Sequence, residues 1–258
     1  MYFAFLGTSG AIPSITRDTT ALVVVTAEGA LLIDCGGSPL AKLRRAGVDP
    51  LALTHVLITH IHPDHAYGLP ALVQNLRLLG RERELVVLCR PEHLEAIRQV
   101  LSAFQVWERP GFPLRLAETG AAPAARALEL GPLVVSTAPV AHGSMPNYAV
   151  RVDVVDQRER GVVYSSDTAP CDAVATLARG AHTLIHEATF PHRDRGRFGV
   201  HSTAYEAGEV AARAGVRRLI LTHIEADYHD ELDALAAEAQ KGFGGTVEIA
   251  REFVPYEF

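Results

Sequence analysis

A chain of 258 residues, 48% hydrophobic, fits one large α/β domain or two small ones and can bury a sizeable core. The net charge of −6 carries no basic footprint of a general nucleic-acid binder, although a local basic surface is compatible with it. No apolar run approaches the roughly 20 residues of a membrane-crossing helix, and Cys35, Cys89 and Cys171, odd in number and far apart, argue against a disulfide framework and for a reducing cytoplasm.

The elements follow in order. Met1–Gly7 has no basic start and reads as a first strand (Tyr2–Leu6) rather than a signal peptide. Strands Ala21–Thr26 and Ala30–Asp34 are joined by Glu28-Gly29. Pro39–Ala46 reads as a short helix closed by Gly47, and Thr54–Ile58 as a strand. A helix from Pro70 to about Leu79 stops at Gly80. Leu85–Cys89 is a strand and Pro91–Phe104 a helix. Residues 105–126, rich in proline and glycine, read as a loop with one strand at Leu114–Ala117. Strands resume at Leu133–Ala141, Tyr148–Val155 and Gly161–Ser165, the last two joined by a turn over Asp156–Arg160. A helix after Pro170 ends at Gly180, and Thr183–His186 is a strand. Thr203 and Glu206 form a capping box for a helix through Ala214. Leu219–Thr222, helix Glu231–Gln240 and Thr246–Ala250 complete two halves of strands and helices, a pattern that two packed sheets covered by helices would bury.

The chemistry centres on Thr59-His60-Ile61-His62-Pro63-Asp64-His65. In an extended segment residues two apart face the same side, so His60 and His62 can grip one ion, and after the turn Asp64 and His65 can face a second. Imidazole and carboxylate are zinc-type ligands. Further polar residues stand at the ends of apolar strands: His142, Asp167, Glu187 and His223. His60, His62 and His142 would hold one divalent ion, and Asp64, His65 and His223 the other, with Asp167 bridging. Zinc is the first choice, and manganese or iron is allowed by the same donors. Asp34 is expected to brace the histidine loop.

The order His-x-His-x-Asp-His, His142, Asp167, His223 resembles the metallo-β-lactamase superfamily across nearly the whole chain. That resemblance implies an αββα four-layer sandwich of two mixed sheets flanked by helices, with residues 1–258 forming one domain. Phe5–Pro13 with Arg17, Ser165-Ser166-Asp167-Thr168 (with Ser where the family has Gly), His186-Glu187-Ala188-Thr189-Phe190, His201-Ser202-Thr203, and Leu221–Ile224 with Tyr228 resemble ribonuclease Z and its relatives. This narrower resemblance implies a metal-dependent hydrolase that cleaves phosphodiesters with metal-activated water. Asp64 accepts the water's proton, and His201, oriented by Glu187, protonates the leaving group. It also implies a homodimer. Arg193, Arg195 and Arg197 are placed to meet a phosphate or to lie in solvent. Ser144 and Tyr148 are expected along the pocket, and Ser14 and Arg17 at its rim. The departure from the family lies between His142 and Asp167. Asp167 follows His142 by only 25 positions, and the interval holds two strands and a turn, with no room for the arm by which common bacterial ribonuclease Z grips tRNA. The expected substrate is therefore a small or cyclic phosphodiester, or RNA bound without an arm. True tRNA 3′ processing, hydrolysis of another ester class and metal binding without turnover are the alternatives.

Overall fold

The computed structural model describes every residue except Ala121 and Phe198, and the side chain of Arg158 is likewise outside the description. Among the described residues, fourteen strands fall into two seven-stranded sheets. The first is built from β1 (Tyr2–Gly7), β2 (Ala21–Val25), β3 (Ala30–Ile33), β4 (Leu53–Leu57), β5 (Leu85–Cys89), β6 (Leu114–Glu118) and β14 (Pro255–Tyr256), in the order β14-β1-β2-β3-β4-β5-β6. The second contains β7 (Ala125–Leu130), β8 (Leu133–Val140), β9 (Asn147–Val154), β10 (Gln157–Tyr164), β11 (Thr183–Glu187), β12 (Arg218–Thr222) and β13 (Thr246–Ile249), in the order β13-β12-β11-β10-β9-β8-β7. Each sheet is antiparallel along one side and parallel along the other: β3-β4-β5-β6 and β10-β11-β12-β13 run parallel.

The pleat explains the layering. Successive side chains point to opposite faces, and these strands are apolar on both. Phe3, Phe5, Leu22, Val24, Leu31 and Ile33 meet Val150, Val152, Val162, Ile185 and Ile220 between the sheets. Their neighbours Ala4, Leu6, Val23 and Leu32 face outward against α1 (Pro39–Arg45), α3 (Leu69–Leu78) and α4 (Leu94–Ala103). On the second sheet Ala149, Val163, Leu184 and Leu219 pack under α5 (Asp172–Ala178), α6 (Ala204–Ala214) and α7 (Leu232–Gly242). Runs apolar on both faces need cover on both, and the αββα sandwich supplies it.

Several local features differ from the sequence reading. Residues 105–126 include the start of β7, so the second sheet begins earlier than the proline content suggests. The turn read over Asp156–Arg160 is shorter: Gln157 pairs with Val154, and β9 and β10 form a hairpin turning at Val155-Asp156, with Asp156 at φ 60°. The strand β14 is too short to show a period, and α2 (Pro63–Ala66) interrupts what reads as a loop. Cys35 and Cys89 are buried, but Cys171 is only half-buried. The capping box at Thr203 and Glu206 is present, closing α6 with Gly215 in the left-handed region.

Candidate active site

The carboxyl ends of β3, β4, β8, β10, β11 and β12 open onto one edge of the sandwich, where α/β sheets place their ligand sites. Past β4, Thr59 and His60 leave the sheet, His62 stands at the N-terminus of α2, and Asp64 and His65 lie within it. The second sheet contributes His142 beyond β8, Asp167 beyond β10 and His223 just after β12.

All seven side chains converge in two groups that share one carboxylate. His60, His62, His142 and Asp167 form one, and Asp64, His65, Asp167 and His223 the other. In the first, His62 Nδ1 lies 3.0 Å from His60 Nε2 and 3.1 Å from His142 Nε2. In the second, Asp167 Oδ2 lies 3.3 Å from His65 Nε2 and 3.2 Å from His223 Nε2, and Asp64 Oδ2 lies 3.2 Å from His65 Nε2. Four donors about 2.0 Å from a tetrahedral ion stand roughly 3.3 Å apart, so the spacing suits divalent metal. Asp167 Oδ1 is buried with no hydrogen-bond partner, and the buried His65 Nε2 and His223 Nε2 face the carboxylates without hydrogen-bond geometry, an arrangement that would be costly if nothing else satisfied them. The residues fit a pair of divalent ions.

The ring tautomers point the same way. His65 Nδ1 donates to Asp34 Oδ2 at 2.8 Å, His142 Nδ1 to the Val200 carbonyl at 3.2 Å, and His223 Nδ1 to Thr189 Oγ1 at 3.1 Å. His60 Nδ1 reaches Thr59 Oγ1 at 3.2 Å. Each of these contacts takes up Nδ1 and leaves Nε2 as the nitrogen facing the cluster, the usual way a protein orients metal-binding histidines. Asp34 also accepts from Thr59 N and Oγ1, so it braces the loop as its position in the sequence predicts.

The charges are strongly coupled. Burial drives His60 well below the imidazole range, with His65 adding to the effect. Burial alone would raise Asp167, but His223 and His65 pull its carboxyl well below the usual carboxylate range. Burial opposes protonation of His65 and His223, and the surrounding carboxylates, Asp167 foremost, outweigh it and hold both well above the ordinary value.

Backbone strain gathers here as well. Asp34, Ser166 and His223 sit at φ 63°, 52° and 55°, each just past the end of a strand. A side chain in this left-handed region costs about 1–2 kcal/mol, and non-glycine residues held there tend to cluster at functional sites.

Beside the second group lies the Glu187–His201 pair, His201 Nδ1 donating to Glu187 Oε1 at 2.8 Å. Glu187 is fully buried and also accepts from Thr168 N at 2.7 Å, Ser202 N at 3.0 Å and Thr189 Oγ1 at 2.6 Å. It therefore both orients His201 and ties together three loops. Burial works against charge on His201, but the facing Glu187 raises it above the usual imidazole value. Glu187, His201 and His223 also lie close enough together to hold an ion. Geometry argues against one there, because His223 Nε2 already faces Asp64 and Asp167 and its Nδ1 hydrogen is donated to Thr189. His201 and Thr189 line a cavity of about 310 Å³ together with Ile12, Arg197, Glu225 and Tyr228.

The lesser expectations fare unevenly. Arg193 pairs with Glu231 and Arg195 with Glu206, while Arg197 reaches the Tyr228 hydroxyl on the cavity wall. Tyr148 is buried and donates to the Ile58 carbonyl, so it does not line the site, and Ser144 is exposed. Arg17 clamps Thr8 and the Ala250 carbonyl instead of standing at a rim, and Ser14 binds His229. Sequence reasoning missed Asn147, Thr189 and the Val200 carbonyl, which act only through contacts made in three dimensions.

The profile of the beta-lactamase superfamily domain matches residues 30–224. A ribonuclease Z of Natronomonas pharaonis is 32% identical, over 96% of this chain and 94% of that protein. The chain belongs to the beta-lactamase superfamily, in its ribonuclease Z family. Another ribonuclease Z, from Methanothermobacter thermautotrophicus, is 31% identical over 88% of each chain. The alignment with a Methanosarcina mazei ribonuclease Z runs over 299 positions against the 258 residues here. Among solved structures, the metallo-beta-lactamase fold protein YhfI of Bacillus subtilis superposes with a TM-score of 0.84 at 25% identity, covering 100% of this chain and 99% of that one. Human tRNase Z, short form, shares the fold with a TM-score of 0.80 at 22% identity, covering 100% and 99%. As a ribonuclease Z-family protein, the chain is a metal-dependent hydrolase.

Proposed function

We propose that this chain is a phosphodiesterase of the ribonuclease Z type, in which His60, His62, His142 and Asp167 hold one divalent ion and Asp64, His65, Asp167 and His223 a second. Nitrogen-rich donor sets at tetrahedral spacing favour zinc. The observation that carries the reading is the buried Glu187 carboxylate 2.8 Å from His201 Nδ1, alongside the two donor groups. When bound, such an ion pair supplies an acidified water and balances charge on a phosphate.

The chain's own groups divide the proton work. Asp64 is kept ionised by His65 and His223 despite its burial, so its carboxylate is available as an anionic donor and as a hydrogen-bond acceptor for the attacking water, whose proton it is proposed to take. His201 is raised by Glu187, and with Nδ1 held by that carboxylate its Nε2–H is the proton available to a leaving oxygen. The 310 Å³ cavity bounded by His201, Ile12 and Tyr228 receives the leaving group.

Substrate size follows from the hairpin. The interval between His142 and Asp167 consists of β9, β10 and a turn at Val155-Asp156. We infer a small or cyclic phosphodiester, or RNA held without an arm. The identity of about 30% with ribonucleases Z over most of both chains favours tRNA 3′ processing as the second reading. Zinc-loaded protein should hydrolyse bis(p-nitrophenyl) phosphate well and cut precursor tRNA poorly or without site preference. Efficient cutting at the tRNA 3′ end would put the second reading first. Cleavage of neither would sink the phosphodiesterase assignment.

The same proposal treats residues 1–258 as one domain, supported by pairing of β14 with β1 across the chain. It places the protein in the cytoplasm, supported by three free cysteines, and among the described residues no helix is long and apolar enough to cross a membrane. It adds a homodimer on family likeness, checked by a solution mass of twice 27.8 kDa.

A further inference from the structure

Ser166 is an unexpected residue for its place. It is fully buried and sits at φ 52°, where glycine would be free of strain and serine is not. Its side chain offers a reason for keeping it. Ser166 Oγ shares its single hydrogen between Thr59 Oγ1 at 2.9 Å and Asn147 Oδ1 at 3.1 Å, a three-centre contact.

Those two contacts lead to opposite halves of the site. Thr59 belongs to the first sheet's loop: it contacts the His60 ring and donates to Asp34, which holds His65. Asn147 belongs to the second sheet and donates through Nδ2 to the Asp167 carbonyl at 2.7 Å. The line Asp34–Thr59–Ser166–Asn147–Asp167 is buried along its whole length. The hydrophobic layer between the sheets sets their distance but is not directional, so it tolerates small slides. Hydrogen bonds are directional, and a slide of a few tenths of an ångström would unbalance a carboxylate shared by two donor groups.

We propose that Ser166 is a positioning residue that latches the two sheets in register, setting Asp167 between the His60–His62–His142 group and the Asp64–His65–His223 group. The proposal rests on the metal-site reading above. The hydroxyl compensates the backbone strain at this position, and the strained turn in exchange aims Asp167 at both groups.

The test is zinc titration of the metal-free protein against a chromogenic chelator, with metal counted by mass spectrometry and apo stability measured in parallel. Wild type should take up two ions. Ser166→Gly relieves the backbone strain but removes the latch: its apo stability should equal or exceed wild type, while affinity for at least one zinc ion falls about tenfold or more. Ser166→Ala keeps the strain and should lose both. Thr59→Val combined with Ser166→Ala should be non-additive, because the two changes break one contact. If Ser166→Gly binds both ions as wild type does, or if the Thr59 and Ser166 effects simply multiply, the latch is wrong. If wild type itself takes up no zinc, it is the metal-site reading that fails.

Discussion

Replacing His201 with Ala removes the proposed proton donor while leaving the metal donors in place. His201 makes no hydrogen bond to any of the seven converging side chains; its ring centre stands 5.0 Å from that of His142 and 5.4 Å from that of His223. Its partner Glu187 keeps four other donors, Thr168 N, Ser202 N, Thr189 N and Thr189 Oγ1, so the buried carboxylate is not stranded. Loss of one charge-assisted contact from a group with 15% of its side chain exposed should cost stability on the order of 1–2 kcal/mol. The kinetic effect should be larger. A positioned general acid contributes about 10²–10⁴-fold, or roughly 3–5 kcal/mol of barrier. It should also depend on the substrate, because an acidic phenol leaves without help whereas an alkoxide needs a proton. The assay compares kcat for bis(p-nitrophenyl) phosphate with kcat for a dinucleotide or alkyl phosphodiester, with metal content measured on the same samples. The expected result is two ions retained, a small loss on the phenyl ester and a loss of 10²-fold or more on the alkyl ester. Equal losses on both esters would remove the general-acid role, and loss of an ion would show that His201 is a ligand, through the Glu187–His201–His223 group.

Further outcomes follow from the same geometry. Asp167→Ala removes the one carboxylate common to both donor groups, so elemental analysis should find fewer than two ions and activity should be abolished. Asp34→Ala leaves the His65 ring without its 2.8 Å partner, and zinc affinity should fall about 10–100-fold, read by chelator competition. Gly36→Ala would put a methyl 1.8 Å from the Asp64 carbonyl oxygen, so the backbone carrying Asp64 must shift; the variant should fold less stably and bind zinc more weakly. Chelation should lower the melting temperature and re-addition restore it. At a free metal concentration 100 times the dissociation constant each ion adds about 2.7 kcal/mol, and an unchanged melting temperature would argue against bound metal.

Much of the site was legible in residue order because its donors come in dense local runs and at the ends of apolar strands. His60, His62, Asp64 and His65 stand within six positions, and strands ending in a polar residue announce where the chain leaves the core. Asp34 was also readable as a brace. Asn147 was not, since nothing in its neighbours signals that its amide meets the Asp167 carbonyl 20 residues away. Tyr148 and Arg17 were misread for a related reason: both are polar residues near the motifs, and the core and the terminal strands engaged them first. The β7 strand and the short β14 were hidden because an edge strand draws its stability from the neighbour it pairs with, and local pattern carries little of that.

The amino-acid order by itself determined the strand and helix alternation, the need for cover on both faces of each sheet, the types of donor and the short span between His142 and Asp167. Those features follow from local periodicity and side-chain chemistry, which need no knowledge of distant contacts. The tertiary structure alone decided how far apart the seven donors from two sheets stand, which groups hold Nδ1 of His60, His65, His142 and His223, and that Ser166 occupies a strained turn between them. Ligand geometry is a matter of tenths of an ångström between residues more than 100 positions apart. Only the packing of one sheet on the other, with its buried hydrogen bonds, sets distances on that scale.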